Sequence, residues 1–384
     1  MPDLPPVSNG KLLTSPDPLI DAPEESSTAV APGRLHRRVA AGSRQATGSP
    51  NWRSWTRRLI PVVVTLALFL VAPQLYDNLS FLTTMAIYAI LAEGVNVIYG
   101  FTGYLPFGYV GLFGAGAYGA ALAISYWHVS GMVALLFGAV VSALISLVLS
   151  PLLRLSGAYF ALATLAASQT LYYIVANESW TFGESGMSLP QVLTVDQIYT
   201  IAVVIVTVSV AIVVYIRDSH FGLSLRAIQS DRVSAAMAGV NVVRTRTLAW
   251  LISATLAGLA GALWAVMTSA FYAESTFDLT VSIYAIVFAL FGGVRSALGP
   301  VFGAVVLYSL YQYIGVSNPQ QFQLVYGLLI VVLVLFLPGG LSSVVGYARR
   351  RFVSHPFGRL GGRGDREIDT PGNTETAVAE GVPQ

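Results

Sequence analysis

The residues of this 384-residue chain able to do chemistry are few. Glu93 is the only acidic residue well inside an apolar stretch, and no Lys or Arg is expected within any such stretch to pair with it. A carboxylate at that depth is costly and normally faces a bundle interior. It would serve there as a proton-coupling group, a substrate contact or a structural hydrogen-bonding residue. The four histidines, His36, His128, His220 and His355, stand singly, so no metal cluster is visible. With no cysteine, disulfides, thiolate catalysis, Fe–S clusters and Cys-based zinc sites are all excluded. The only lysine is Lys11, in a polar segment, which removes a Walker A lysine, a Schiff-base lysine and a buried catalytic lysine. No nucleophile–base pair is visible either, so a membrane enzyme has little support.

Two glycine-rich stretches carry more. Gly114-Ala115-Gly116-Ala117-Tyr118-Gly119 is a literal G-x-G-x-x-G, but a dinucleotide site needs a preceding strand and an acidic residue about 20 positions on. Here the run lies in an apolar stretch, and no Asp or Glu occurs between Glu93 and Glu178. With Gly111 it reads instead as a helix face for close packing, and Ala254, Ala257, Gly258, Gly261 and Ala265 make a second one. The segment from Gly100 to Gly108, GFTGYLPFG, joins two apolar runs without a charge between them. It reads either as a broken helix whose free backbone groups line a substrate path, or as a tight turn.

The elements that must position these residues follow from composition. The chain is 55% hydrophobic and 10% charged, with mean hydropathy +0.67; ordinary soluble domains carry about 25% charged residues. A net charge of +2 gives no argument for nucleic acid. Residues 1–58 and 346–384 are polar and without apolar period, and read as disordered tails flanking a membrane domain at 59–345. A membrane-crossing helix needs about 20 apolar residues. The candidates are 59–72, 79–98, 105–126, 132–153, 157–176, 198–216, 248–271, 279–294, 297–315 and 322–341, the first and eighth being short. The expected fold is an all-α integral membrane protein, a polytopic bundle of about ten transmembrane helices with one broken or re-entrant element.

Charge distribution sets the expected orientation. If the N-terminus is cytoplasmic and all ten segments cross, all 21 Lys and Arg fall inside. The outside loops then hold none, but contain Asp77, Glu178, Glu184, Asp196, Glu274 and Asp278. That asymmetry is the one that retained cytoplasmic loops carry, and it places both termini in the cytoplasm. The longest inside loop, 217–247, has five Arg and two Asp. Phe221, Leu225, Ile228, Arg232, Ala236 and Val240 recur there every three to four residues, with Gly239 as a C-cap. This predicts a short amphipathic helix across the cytoplasmic ends, docking a partner or facing headgroups. The longest outside loop, 177–197, is a docking surface, a lid or a spacer.

Several stretches in order then resemble a known family. They are Gly94-Val95-Asn96 to Gly100-Phe101-Thr102-Gly103, Phe107-Gly108 into Gly116-Ala117-Tyr118, residues 157–165 (GAYFALATL), and Thr181-Phe182-Gly183-Glu184-Ser185-Gly186. They continue with Phe221-Gly222, Leu225-Arg226-Ala227-Ile228, Asp231, Ala235-Ala236, Gly239-Val240-Asn241, residues 257–263 (AGLAGAL), Gly292-Gly293, Gly299-Pro300 and Gly303-Ala304. Over roughly 80–340 the chain resembles the membrane subunits of branched-chain amino acid ABC importers, of the LivM type. It departs from them at Glu93, where a small or apolar residue is usual, at Tyr104 and Pro106, at Arg295 within a Gly-rich turn, and in its long N-terminal tail.

The resemblance implies a permease of the bacterial cytoplasmic membrane that pairs with a homologous second permease, two P-loop ATPases and an extracytoplasmic binding protein. ATP and Mg would reside on the ATPases, and this chain would hold no cofactor. It implies a substrate pathway at Glu93, Asn96, Gly100, Thr102, Gly103, Gly108, Tyr109 and Thr164. ATPase coupling would fall to Phe221, Gly222, Arg226, Asp231, Ala235, Ala236 and Gly239, and binding-protein docking to Thr181, Gly183, Glu184 and Gly186. The solute would be a branched-chain amino acid or a related small polar molecule; related permeases serve urea and short amides. The alternative from the residues alone is a proton-coupled secondary transporter that titrates Glu93.

Overall fold

A computed structural model describes residues 52–182, 185–268 and 270–317, together with 327–328. Apart from that pair, the expected tenth span at 322–341 lies outside the described residues, as do both polar tails up to residue 51 and beyond 345. The chain divides into residues 1–54 and 55–384, and the described part of the first unit is the opening of one helix.

That helix is α1 (Trp52–Leu75), followed by α2 (Leu79–Val95), which runs into a π-helical turn at Asn96–Gly100. Then come α3 (Tyr109–Trp127), α4 (Gly131–Val148), a 3₁₀ turn at Ser150–Arg154, and α5 (Ala158–Asn177). After a strand β1 (Met187–Ser188) the chain forms α6 (Val195–Asp218), two short helices α7 (His220–Ser230) and α8 (Arg232–Met237), and the long α9 (Val242–Thr268). Strand β2 (Ala270–Phe271), α10 (Ala273–Thr276), α11 (Leu279–Gly292) and α12 (Gly299–Ser317) complete the described part. Among the described residues, eight helical stretches are long and apolar enough to cross a membrane. The two short expected segments are among them, as 58–75 and 273–292. α12 is a further long, largely apolar helix, which carries Gln312 and three tyrosines. This is the expected all-α polytopic membrane bundle, in which most backbone groups are satisfied within their own helix.

Local chemistry sets the helix ends. Asn78 accepts from the Phe81 amide, Thr194 and Gln197 form a reciprocal capping box, and Asp278 accepts from the Thr280 amide. α3 starts at Tyr109, four residues later than the apolar run, because Pro106 and Gly108 hold 103–108 out of helix. α4 stops at Val148, where Pro151 opens the tighter 3₁₀ turn. α9 begins at Val242, six residues earlier than expected, with Asn241 accepting from the Arg244 amide. The expected 217–247 loop therefore shrinks at both ends, and Arg246 becomes a helix residue.

α2 and α3 are enclosed by their neighbours, whereas α1 and α5 turn most of their surface outward. α3, α4 and α9 form the tightest packing unit. The two small-residue faces expected on α3 and α9 meet there, with Gly116 against Gly258. Among the described residues, contacts gather the segments between helices at two ends of the bundle. At one end Arg58 pairs with Asp218 at 3.0 Å, Arg295 Nη2 donates to Gln229 Oε1 at 2.6 Å, and Arg154, Arg232 and Arg246 line one pocket. At the other end β1 pairs antiparallel with β2, and the Tyr126 hydroxyl donates to the Trp180 carbonyl at 3.0 Å. The segments that the charge count assigned to one side touch one another.

Candidate functional site

At the segment read as a broken helix or a tight turn, α2 ends in the π-helical turn at Asn96–Gly100, and residues 103–108 are irregular. An extra residue in the turn frees backbone groups that need partners, and such turns recur at functional sites. Here the partners come from the connection after α11. Asn96 is fully buried. Its amide donates to Glu93 Oε2 at 3.1 Å and to the Ser296 carbonyl at 3.0 Å, and its Oδ1 accepts from the Arg295 amide at 2.7 Å. Arg295 Nε donates to the Gly100 carbonyl at 3.0 Å, and the same guanidinium reaches Gln229 on α7. Arg295 holds φ at +70°, a left-handed backbone uncommon for a non-glycine residue and here fixed by these three bonds. A Gly-rich turn suits that conformation, so Arg295 keeps the turn and adds a tether. Glu93 is buried, with Oε1 unpartnered.

The remaining expected pathway residues sit around this network. Thr102 is buried and its hydroxyl donates to the Ile98 carbonyl, while Gly103, exposed with φ +78°, lies beside Gln229. The Gly108 amide donates to Thr164 Oγ1 at 3.3 Å, joining the start of α3 to α5. The Tyr109 hydroxyl donates to the Ser253 carbonyl at 2.7 Å, and Ser253 Oγ donates to the Gly94 carbonyl at 2.7 Å. Glu93, Asn96, Gly100, Thr102, Gly108, Tyr109 and Thr164 are thus drawn into buried helix contacts of this chain. Ser253 is a partner that sequence reasoning missed, as is Ser282, whose Oγ accepts from the Val110 amide at 2.7 Å. Both are hydroxyl side chains in apolar spans; Ser, Thr and Asn in that setting are the available signal.

The family-model comparison matches residues 78–334 to the permease component of branched-chain amino acid transport systems. The chain belongs to this permease family. It is 26% identical to the high-affinity branched-chain amino acid transport system permease protein LivM of Salmonella typhimurium, over 67% of this chain and 68% of that protein. It is 28% identical to a probable branched-chain amino acid transport permease protein LivH of Methanocaldococcus jannaschii, over 53% of this chain and 64% of that one. Over 36% of its length it is also 32% identical to the fructose import permease protein FrcC of Rhizobium meliloti, covering 41% of that protein. The family is a transport component of ABC systems, not a catalytic one.

In the permease, the expected single amphipathic helix at 221–240 is two helices. Asp231 is extended, with φ −154°, and breaks the run, so the second helix starts in a new phase. Leu225 and Ile228 are buried as the spacing requires, and Gly222 is buried beside them, but Ala235 takes the inward position and Ala236 is exposed. Phe221 and Arg226 are half-buried. Gly239, with φ +85°, ends α8 as expected: its amide donates to the Ala236 carbonyl and that of Val240 to the Ala235 carbonyl, each at 3.0 Å. The residues missed here are Val233 and Met237, one turn apart on α8 and 66% and 78% exposed. On the opposite side, Thr181 is buried with its hydroxyl on the carbonyls of Val175 and Glu178, and Gly186, at φ +78°, leads into β1. Gly183 and Glu184 lie outside the described residues.

Asp231 Oδ1 accepts from the Val233 amide at 2.7 Å and the Ser234 amide at 3.2 Å. These bonds favour the carboxylate and hold its pKa below the ordinary value. A depressed folded-state pKa means the cap is fully present at pH above the ordinary carboxylate value and is lost as pH falls through the folded value. Amide hydrogen exchange of Val233 and Ser234 is therefore expected to stay flat from pH 7 to 5, once corrected for intrinsic rates. Protection should fall only at more acidic pH, whereas Asp231→Ala should expose both amides throughout.

Proposed function

We propose that this permease is the translocating subunit of an ATP-driven importer, carrying a branched-chain amino acid or a related small polar solute across a bacterial cytoplasmic membrane, with both termini inside. The observation that carries the reading is the tether from the break to the basic end: Gly100 to Arg295 to Gln229. It ties the π-helical turn at Asn96–Gly100 to the helix pair α7–α8, so displacement of α7 is felt at the break. A second permease would complete the pathway; α5, with Tyr159, Leu162 and Tyr173 turned outward, offers a face for it or for lipid. Two P-loop ATPases, holding ATP and Mg, would engage α7 and α8, where Val233 and Met237 stand exposed. A binding protein would deliver solute at the acidic end. ATP binding does work only by preferring one bundle state over the other, so α7–α8 must contact the ATPases differently in the two states.

The test is purification of the tagged full chain in mild detergent, wild type beside Val233→Asp/Met237→Asp. The wild type is expected to bring a second permease and P-loop ATPases. The variant should keep its thermal stability and the second permease but retain under a tenth of the ATPase. A solitary chain that drives uptake from a proton gradient would overturn the reading.

A further inference from the structure

The pocket at the basic end, about 100 Å³ in volume, is lined by Arg154 from the 3₁₀ turn, Arg232 from the start of α8 and Arg246 from α9. Ser150 and Thr247 add two hydroxyl donors, and no acidic residue lines it. Among the described residues the ion pairs are those of Arg58 and Arg217 with Asp218, so none of the three pocket arginines is neutralised. Arg246 is only 2% exposed, with its guanidinium carbon 3.8 Å from the centroid of the Tyr104 ring. Its Nε and Nη2 have no hydrogen-bond partner. Burying a cation whose partner is a ring face, with no anion and with two like charges lining the same pocket, is unfavourable unless an anion completes the site.

We propose that this pocket binds the phosphate of an anionic lipid headgroup. A phosphate oxyanion matches three guanidinium groups and two hydroxyls, since guanidinium forks bind it bidentately. The position selects lipid as its source. The pocket sits where α4 ends and α9 begins, at the boundary of the apolar belt. Val243, which lines it, is 67% exposed, and Leu147 and Val148 stand exposed at the end of α4. An acyl chain has an apolar surface to follow directly below the arginines. Basic pockets between membrane helices take headgroups on this logic.

Native mass spectrometry of the full chain in detergent, titrated with phosphatidylglycerol or phosphatidylcholine of equal chain length, tests the site. The expected result is preferential retention of phosphatidylglycerol, weakened about tenfold in Arg154→Gln/Arg232→Gln. Both side chains are exposed, so that variant should fold; Arg246→Gln, which is buried, should weaken retention further where it folds. Equal retention of the two lipids, or an unchanged affinity in the double variant, would overturn the proposal. Displacement of the lipid by millimolar inorganic phosphate would make this a site for free oxyanions. Loss of the lipid when accompanying subunits are present would give the arginines to a partner's carboxylate. Either result also overturns it.

Discussion

Replacing Asn96 with leucine is expected to destabilise the permease by about 2–6 kcal/mol, because two or more buried polar groups lose their partner at about 1–3 kcal/mol each. The groups are the Arg295 amide and the Ser296 carbonyl, with Glu93 Oε2 as a third. Leucine has the branching and heavy-atom count of asparagine, so the first loss is of hydrogen bonds, to which its bulkier methyl groups add some overpacking. With the Arg295 backbone released from its left-handed conformation, the tether from Gly100 to Gln229 should slacken. Uptake should then fall more than tenfold at matched protein level, while α7 and α8 still hold the ATPases. Thermal unfolding in detergent and solute uptake in reconstituted vesicles measure the two effects. Unchanged stability with unchanged uptake would remove the network from both fold and mechanism. Glu93→Gln is the companion variant: it preserves an acceptor for Asn96 and should leave ATP-dependent uptake within about twofold, well under the tenfold that 1.4 kcal/mol represents. Loss of gradient-driven uptake in that variant would instead support the proton-coupled carrier.

The contrast between Asn96 and Arg246 shows what a sequence displays and what it hides. The apolar runs announce the helices because lipid-embedded backbone has so few alternatives, and the arginine distribution announces the parity of the crossings. Boundaries fail where a charge sits on a helix that continues past the apolar belt. Arg246 reads as a loop residue until Tyr104, 142 positions away in the chain, covers it (a pairing no local pattern encodes). Arg295 reads as an intrusion into a Gly-rich turn because its φ and its reach to Gly100 and Gln229 exist only in three dimensions. The helix pair at 220–237 was half legible. Its apolar spacing was right as far as Ile228, but Asp231 can cap a new helix as readily as it can continue an old one, and the cap resets the phase. Strands β1 and β2 are two residues each and carry no period to read.

The largest loss of folded protein is expected from Gly258→Leu. Within a bilayer no hydrophobic effect drives helices together, so close van der Waals packing has to. The junction of α3, α4 and α9 is built on it: a Cβ on Gly258 would stand 2.8 Å from the Gly138 carbonyl oxygen, and one on Gly116 would enter the backbone of Gly258 itself. Ser142, beside Gly258, donates to the Ala254 carbonyl at 2.8 Å, which requires the same close approach. Backbone cannot yield as a side-chain tip can, so three helices would have to separate. The cost should reach or exceed about 3 kcal/mol, the upper end of overpacking penalties. Leu248→Ala on the exposed surface of the same helix should stay within about 0.5 kcal/mol. Size-exclusion profiles and thermal unfolding of the two variants check this. A monodisperse Gly258→Leu protein with near-normal stability would mean that α3 and α9 do not cross at their glycines. The network at Asn96, which depends on α2 being clasped by α3 and α9 through Tyr109 and Ser253, would then need another support.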